Sequence, residues 1–240
     1  MTNSQACNDS DLIDRYQGVL QRIRDAERTC HRDSGEVALL AVSKTRSADE
    51  IRALAGLGQT RFGENYLQEA LDKITQLRTL KLSWHFIGRI QSNKTRPIAE
   101  HFDWVHSVAS LKHATRLSEQ RPADRQPLNI CLQVNTSGEA SKGGHEPEQL
   151  QELLPAYQAL ENLRVRGLMT IPAPLQPGDD PRRPFRQLRE LRDRLRTPEL
   201  PLETLSMGMS DDLEAAVCEG AGILRIGTAI FGPRQYNQVT

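Results

Sequence analysis

Cysteine is scarce and unpaired in this sequence. Cys7, Cys30, Cys131 and Cys218 stand singly, at spacings that suit neither a zinc site nor a redox dithiol, and they read as reduced, structural thiols. Long apolar runs are missing as well: the strongest, residues 37–42, is far too short to cross a bilayer. The opening Met-Thr-Asn-Ser-Gln-Ala-Cys-Asn-Asp has neither the basic region nor the apolar core of a secretory signal, so a cytoplasmic protein without membrane attachment is the expectation. An excess of either charge is lacking too, with Lys+Arg and Asp+Glu both 31. No global field then draws the chain to nucleic acid or to an anionic surface, and any anion site must be built locally. The histidines include no His-Glu-x-x-His frame, which argues against a metal site. A Walker-type phosphate loop is also absent, because Gly63-Glu-Asn-Tyr66 carries neither the lysine nor the second glycine.

What is present is material for a core. The chain has 240 residues, 38% hydrophobic and 26% charged, a length at which a closed α/β barrel forms one folding unit and leaves little room for a second sizeable domain. Periodicity predicts a helix over 10–32, with Leu12, Tyr16, Val19, Leu20 and Ile23 on one face. Eight short β-rich runs follow, at 37–42, 60–62, 84–87, 104–106, 128–134, 165–171, 204–206 and 223–226, separated by amphipathic stretches. Ser47-Ala-Asp-Glu50 reads as a capping box opening a helix that Gly58 closes, and Ser210-Asp-Asp reads as the start of another helix ending near Gly220. Alternation of strands and helices implies parallel pairing. The expected fold is therefore α/β: a single (β/α)₈ TIM-type barrel over 35–232, an added N-terminal helix within 1–34 and a tail at 233–240. Prolines 174, 177, 181 and 184 with Gly178 make 173–184 an exposed loop.

In such barrels the residues just beyond the C-terminal ends of the strands form the working face. After the first strand comes Ser43-Lys44-Thr45, an amine at the mouth. Loss of hydration there disfavours the ammonium and frees a neutral nucleophile, as Schiff-base chemistry needs; a snorkelling surface lysine is the alternative. The seventh and eighth units supply Ser206-Met-Gly-Met-Ser210 and Arg225-Ile-Gly-Thr228, the loops where barrels often bind phosphate. Gly208 and Gly227 allow close backbone approach, and Ser206, Ser210 and Thr228 offer hydroxyl donors; an N-cap at Ser210 and ordinary turn glycines are the plainer reading. An amine facing a phosphate cradle matches a ligand with both an aldehyde and a phosphate, such as pyridoxal 5′-phosphate. An aldolase acting on a phosphorylated sugar would use the same pair.

The segments Leu40-Ala-Val-Ser-Lys-Thr45, Phe62-Gly-Glu-Asn-Tyr66, His85-Phe-Ile-Gly88 with Gln91-Ser-Asn-Lys94, Val165-Arg-Gly-Leu-Met169, Ser206-Met-Gly-Met-Ser210 and Arg225-Ile-Gly-Thr-Ala-Ile-Phe-Gly232 resemble the YggS/proline-synthetase co-transcribed family of pyridoxal phosphate homeostasis proteins. The likeness runs from about residue 37 to residue 232. It implies a fold like the alanine racemase barrel domain and a cofactor held covalently without an established reaction. Residue by residue, it implies a Schiff base on Lys44 and phosphate contacts from the Ser206-to-Ser210 and Gly227-Thr228 segments, with Arg225 beside the cofactor, where it faces either the pyridine nitrogen or the phosphate. By the strand-end rule Asn65 and His85 are expected to line the same cavity, and Met169 is counted with the cofactor-binding residues; for His85 a core histidine satisfied by neighbouring backbone is the alternative.

Racemisation, the competing activity, needs a second base opposite the lysine. In alanine racemase that tyrosine comes from an added β-domain and a partner subunit, which this sequence is not expected to have. Tyr66, Tyr157 and Tyr236 are the candidates, and their spacing singles out none. A monomeric carrier that passes the cofactor transiently to apoenzymes is the favoured expectation, with Lys142, in the loop after the fifth strand, a candidate participant in transfer and a solvated lysine the plainer reading. The arginine-rich stretch 181–196 raises nucleic-acid binding as a separate class. Phe185, Leu188, Leu191 and Leu195 form one helical stripe within it, which puts the arginines on a solvated face.

Overall fold

A computed structural model of the protein describes residues 3–137, 143–174 and 176–233, with backbone alone for 3–9. Eight strands close into a barrel in chain order: β1 (Ala38–Val42), β2 (Arg61–Glu64), β3 (Ser83–Phe86), β4 (Trp104–Val108), β5 (Leu128–Gln133), β6 (Leu163–Met169), β7 (Thr204–Ser206) and β8 (Ile223–Ile226). All neighbours are parallel, and β8 returns to β1 with Ala41 opposite Ile226. The runs are short and apolar because a wall strand is covered on both faces, inside by barrel side chains and outside by helices. Every strand read from the sequence is found; β7 and β8 have the expected bounds, and no other end is displaced by more than two residues.

The outer layer consists of α2 (Ala48–Gly56), α3 (Leu67–Gln76), α4 (Thr95–His101), α5 (Leu111–Glu119), α6 (Pro147–Gln158), α7 (Arg183–Leu195), α8 (Leu213–Cys218) and α9 (Thr228–Phe231). Phe62, Phe102, Tyr157 and Phe185 fill the space between wall and helices, fully buried, and each such side chain contributes about 1.5–3 kcal/mol. Ahead of the barrel, α1 (Asn3–Thr29) buries Leu12, Tyr16, Val19, Ile23 and Ala26 against α2, α8 and α9. At the start of α2 the capping box is complete: Ser47 Oγ accepts from Glu50 N at 3.2 Å, and Glu50 Oε2 accepts from Ser47 N at 2.8 Å.

Three expectations change. Cys30 and Cys218 are not separate thiols but are joined in a disulfide, Cα atoms 5.0 Å apart, because α1 packs on α8 and unites residues 188 apart in sequence. Ser210 is not a helix cap: α8 starts after Asp212, and Ser210 Oγ instead accepts from Ala229 N at 3.2 Å. The loop expected over 173–184 is already helical at Arg183, with Phe185 buried.

Candidate functional site at the barrel mouth

Lys44 follows β1, half-buried, and the residues on either side of it are tied to one buried cluster. Lys73, on α3, donates to Ser43 O at 2.7 Å, to Glu64 Oε1 at 2.8 Å and to Glu69 Oε1. Ser43 Oγ donates to the same Glu64 oxygen at 2.7 Å, and Thr45 N donates to Glu69 Oε1 at 2.6 Å. Thr45 sits at φ +64°, a left-handed conformation that costs an ordinary residue about 1–2 kcal/mol, so the turn carrying Lys44 is held rather than relaxed. Burial raises the Glu64 carboxyl above its usual value, and Lys73 opposes the shift. Neither Glu64 nor Lys73 nor Glu69 was singled out from the sequence. The Glu69 and Lys73 spacing of four was a readable signal, whereas the burial of Glu64 was not.

Strand alternation turns Gly63 and Asn65 toward the barrel axis: a Cβ at Gly63 would meet the Leu40 side chain at 3.2 Å. Asn65 Oδ1 is buried and has no hydrogen-bond partner among the described residues. The neighbouring loop fits tightly over it, since a Cβ at Gly88 would fall 2.2 Å from Asn65 O.

Across the barrel, β7 and β8 bring Ser206 and Arg225 together. Arg225 Nη1 donates to Ser206 Oγ at 2.8 Å and Nη2 to Thr170 O at 2.9 Å. Burial lowers this guanidinium to about 10, which leaves it cationic at neutral pH. The strand register places Met169 opposite Ser206. His106 Nδ1 lies 2.7 Å from Ser206 Oγ, His106 Nε2 lies 2.8 Å from His85 Nδ1, and His85 Nε2 lies 3.1 Å from Ser83 Oγ. His85 is thus deep in the barrel, stacked on Trp104, with both ring nitrogens engaged by side chains rather than by backbone. Burial first, then nearby positive charge, keeps both rings neutral: His85 is lowered to about 3 and His106 well below its usual value. His106 was read from the sequence only as a strand residue.

Beyond β7, Gly208 adopts φ +91°, and a Cβ there would strike Ala216 Cβ at 2.5 Å and Leu224 Cδ2 at 2.6 Å, so only glycine fits. Arg22 on α1 donates to Ser210 O at 3.1 Å and fixes this loop from outside. Gly227 lies against Val42, and Arg46 donates to Gly232 O at 2.5 Å, so the loop after β1 and the loop after β8 are fastened together. Lys44, Gly227 and Thr228 therefore stand at adjacent strand ends, with Gly208 and Ser210 one strand further on. Among the tyrosines, Tyr66 is exposed, and Tyr157 is buried in the outer layer with its hydroxyl 2.8 Å from His145 Nε2. Lys142 and Tyr236 lie outside the described residues. Arginines in and just before α7 converge on acidic groups, Arg189 within the helix and Arg182 ahead of it both meeting the buried Glu219.

Residues 19–235 match the family described as alanine racemase, N-terminal domain. The chain is 58% identical over 227 residues to a Pseudomonas aeruginosa protein named pyridoxal phosphate homeostasis protein, covering 95% of this chain and 97% of that one. It is 46% identical over 232 residues to an Escherichia coli protein of the same name, covering 95% and 99%. Among solved structures it resembles PipY of Synechococcus elongatus with PLP bound, at TM-score 0.73 and 39% identity over 88% of this chain and 100% of that one. Alanine racemase from Corynebacterium glutamicum shares the fold, at TM-score 0.64 and 17% identity over 93% of this chain and 63% of that one.

Proposed function

Because the chain belongs to the alanine racemase N-terminal domain family, among the pyridoxal phosphate homeostasis proteins, we propose that it binds pyridoxal 5′-phosphate covalently on Lys44 and serves as an intracellular carrier of that cofactor. The observation that carries this reading is the pinned Lys44 turn beside the loop of β8. Lys73, the other lysine near this end of β1, pairs with Glu64 and Glu69 and so helps to pin the turn. Lys44 stands at the end of β1 beside the loop of β8, and the bond is assigned to it on that position. The cofactor's aldehyde supplies the electrophile, forming a Schiff base with the Lys44 amine and releasing water.

The residues around the mouth suit the remaining groups of such a ligand. Ser210 and Thr228 present hydroxyls and Gly227 opens the final turn, a donor set appropriate to a phosphate dianion, while Gly208 lets the loop after β7 pack down on Ala216 and Leu224. Arg225, cationic beneath the mouth, disfavours a proton on any ring nitrogen it faces. Asn65 Oδ1 offers an unused acceptor to a ring substituent, and Met169 contributes an apolar wall. With Tyr157 spent on His145, the described residues offer no buried tyrosine at the mouth to act as a second base, which supports holding and delivery to apoenzymes over racemisation.

Reduction of the cofactor-treated protein with borohydride, followed by peptide mass spectrometry, tests the attachment. The adduct is expected on Lys44, and the Lys44→Ala variant should take up none; an adduct confined to another lysine overturns the assignment. Incubation with single amino acid enantiomers tests the carrier role. No change of chirality is expected, and turnover that disappears in Lys44→Ala would make the protein a racemase.

A further inference from the structure

We infer that Ser206, His106 and His85 form a one-way hydrogen-bond relay that holds Arg225, so that the Ser206 hydroxyl proton is committed to His106 inside the barrel and is not given to the phosphate of a bound ligand. This deepens the proposed function and rests on it only for the identity of the ligand.

The direction of the relay follows from counting protons. A guanidinium has donors and no acceptor, so at 2.8 Å from Ser206 Oγ it must donate. Ser206 then has one proton of its own, and His106 Nδ1 lies 2.7 Å away to receive it. His106 Nδ1 is therefore unprotonated, and the ring proton sits on Nε2. From there it is given to His85 Nδ1 at 2.8 Å. His85 in turn carries its proton on Nε2 and gives it to Ser83 Oγ at 3.1 Å. Were His106 to donate instead, Ser206 Oγ could accept from both partners, but its own buried proton would then have no acceptor among the described residues, since Arg225 can only donate; that unmet donor is what sets the direction and, with it, both tautomers.

Burial agrees with the assignment. Ser206 and His106 have no exposed surface, and His85 has 1%, so water cannot substitute for any member of the chain. The relay crosses the barrel from β8 and β7 through β4 to β3, linking the mouth to Ser83 at the opposite end of β3. Ser210 differs. Its oxygen accepts from Ala229 N, it is half-buried, and among the described residues its hydroxyl donates to none, so its proton remains for a ligand. The phosphate cradle then consists of Ser210 and the loop of Gly227 and Thr228, while Ser206, His106 and His85 are positioning residues acting through Arg225.

Two measurements decide this. Nitrogen-15 NMR of the ligand-free protein at neutral pH should find His85 and His106 both protonated on Nε2 and bare on Nδ1; protonation of His106 on Nδ1 overturns the relay. Affinities for pyridoxal 5′-phosphate and for pyridoxal, compared in wild type, Ser206→Ala and Ser210→Ala, then isolate the phosphate. The ratio of the two affinities should fall roughly 10-fold or more in Ser210→Ala, as expected for a lost hydrogen bond to a charged group. It should stay within about 2-fold in Ser206→Ala, where loss of the Arg225 contact weakens both ligands alike. Ser206→Thr, which keeps the hydroxyl, should restore the wild-type His106 signals. A phosphate-specific loss in Ser206→Ala refutes the inference. Should wild type bind neither compound, the proposed function fails, and the histidine tautomers still decide the relay.

Discussion

Lys73→Met removes the cation at the centre of the cluster that pins Lys44 and leaves the rest of the side chain's length in place. Lys73 is 4% exposed and Glu64 0%, so the variant buries a carboxylate whose remaining partner is the Ser43 hydroxyl; its Oε2 already lacks a partner among the described residues. Breaking a buried pair by removing one member costs about 3–5 kcal/mol. For a protein of this size each kcal/mol moves the melting temperature by roughly 2–4 °C, so a fall of roughly 6–20 °C is expected at neutral pH. The sign of the pH dependence is fixed by Glu64. Its folded value is raised above the usual 4.5, so the folded state holds the proton more tightly than the unfolded chain. Stability linked to that proton is fully present below 4.5 and is lost as pH rises through the folded value. Without Lys73 the folded value rises further, and the penalty should be largest at pH 7 to 8 and shrink toward pH 5, about two units lower.

Thermal melts of wild type and Lys73→Met at several pH values measure this directly. The double variant Glu64→Leu/Lys73→Met, which removes both charges, should recover most of the loss, because an apolar pair of similar size replaces a buried ion pair at little or no cost. A Lys73→Met penalty under about 1 kcal/mol, or one that stays constant between pH 8 and pH 5, would refute the buried-pair reasoning.

The disulfide closes a loop of 188 residues, for which the chain-entropy treatment gives about 5 kcal/mol of stabilisation, so Cys30→Ser and reductant-treated wild type should melt at the same lowered temperature; no shift with reductant would mean that the bond contributes nothing. Gly208→Ala should destabilise the fold by roughly 1–3 kcal/mol, because φ +91° and contacts of 2.5 Å and 2.6 Å to Ala216 and Leu224 leave no space for a methyl. In the same variant, affinity for pyridoxal 5′-phosphate should fall more than affinity for pyridoxal, and equal losses would remove Gly208 from the phosphate cradle.

Much of the barrel was legible because its information is local. Even β7, three residues long, announces itself as Thr204-Leu-Ser206 between turn-forming prolines and a glycine. Lys44 and Gly208 were reachable as candidates by the rule that strand ends carry the chemistry, whereas Arg225, inside β8, was given a role only through the family resemblance. The misreadings share a different cause. Ser210 followed by two aspartates has the composition of a cap, yet Asp212 Oδ1 takes the Met209 N–H at 2.5 Å and the helix begins later. Cys30 and Cys218 meet only because α1 and α8 pack together, which no spacing along the chain encodes.

Polar groups inside the wall were hidden by a further step, the parity of a strand. In β2, Glu64 faces the helices and meets Lys73, while its neighbour Asn65 faces the axis; a shift of one residue would exchange them. His106 and Ser206 are separated by 100 residues and become partners only when the barrel closes. Closure also constrains what such residues can do. An unmet donor or acceptor is costly at residues as buried as these, so a polar residue placed there is best tolerated when the whole chain of donors and acceptors is consistent. Arg225 supplies that consistency by being unable to accept. The same charge that suits it to a cofactor therefore orders the histidines beneath it.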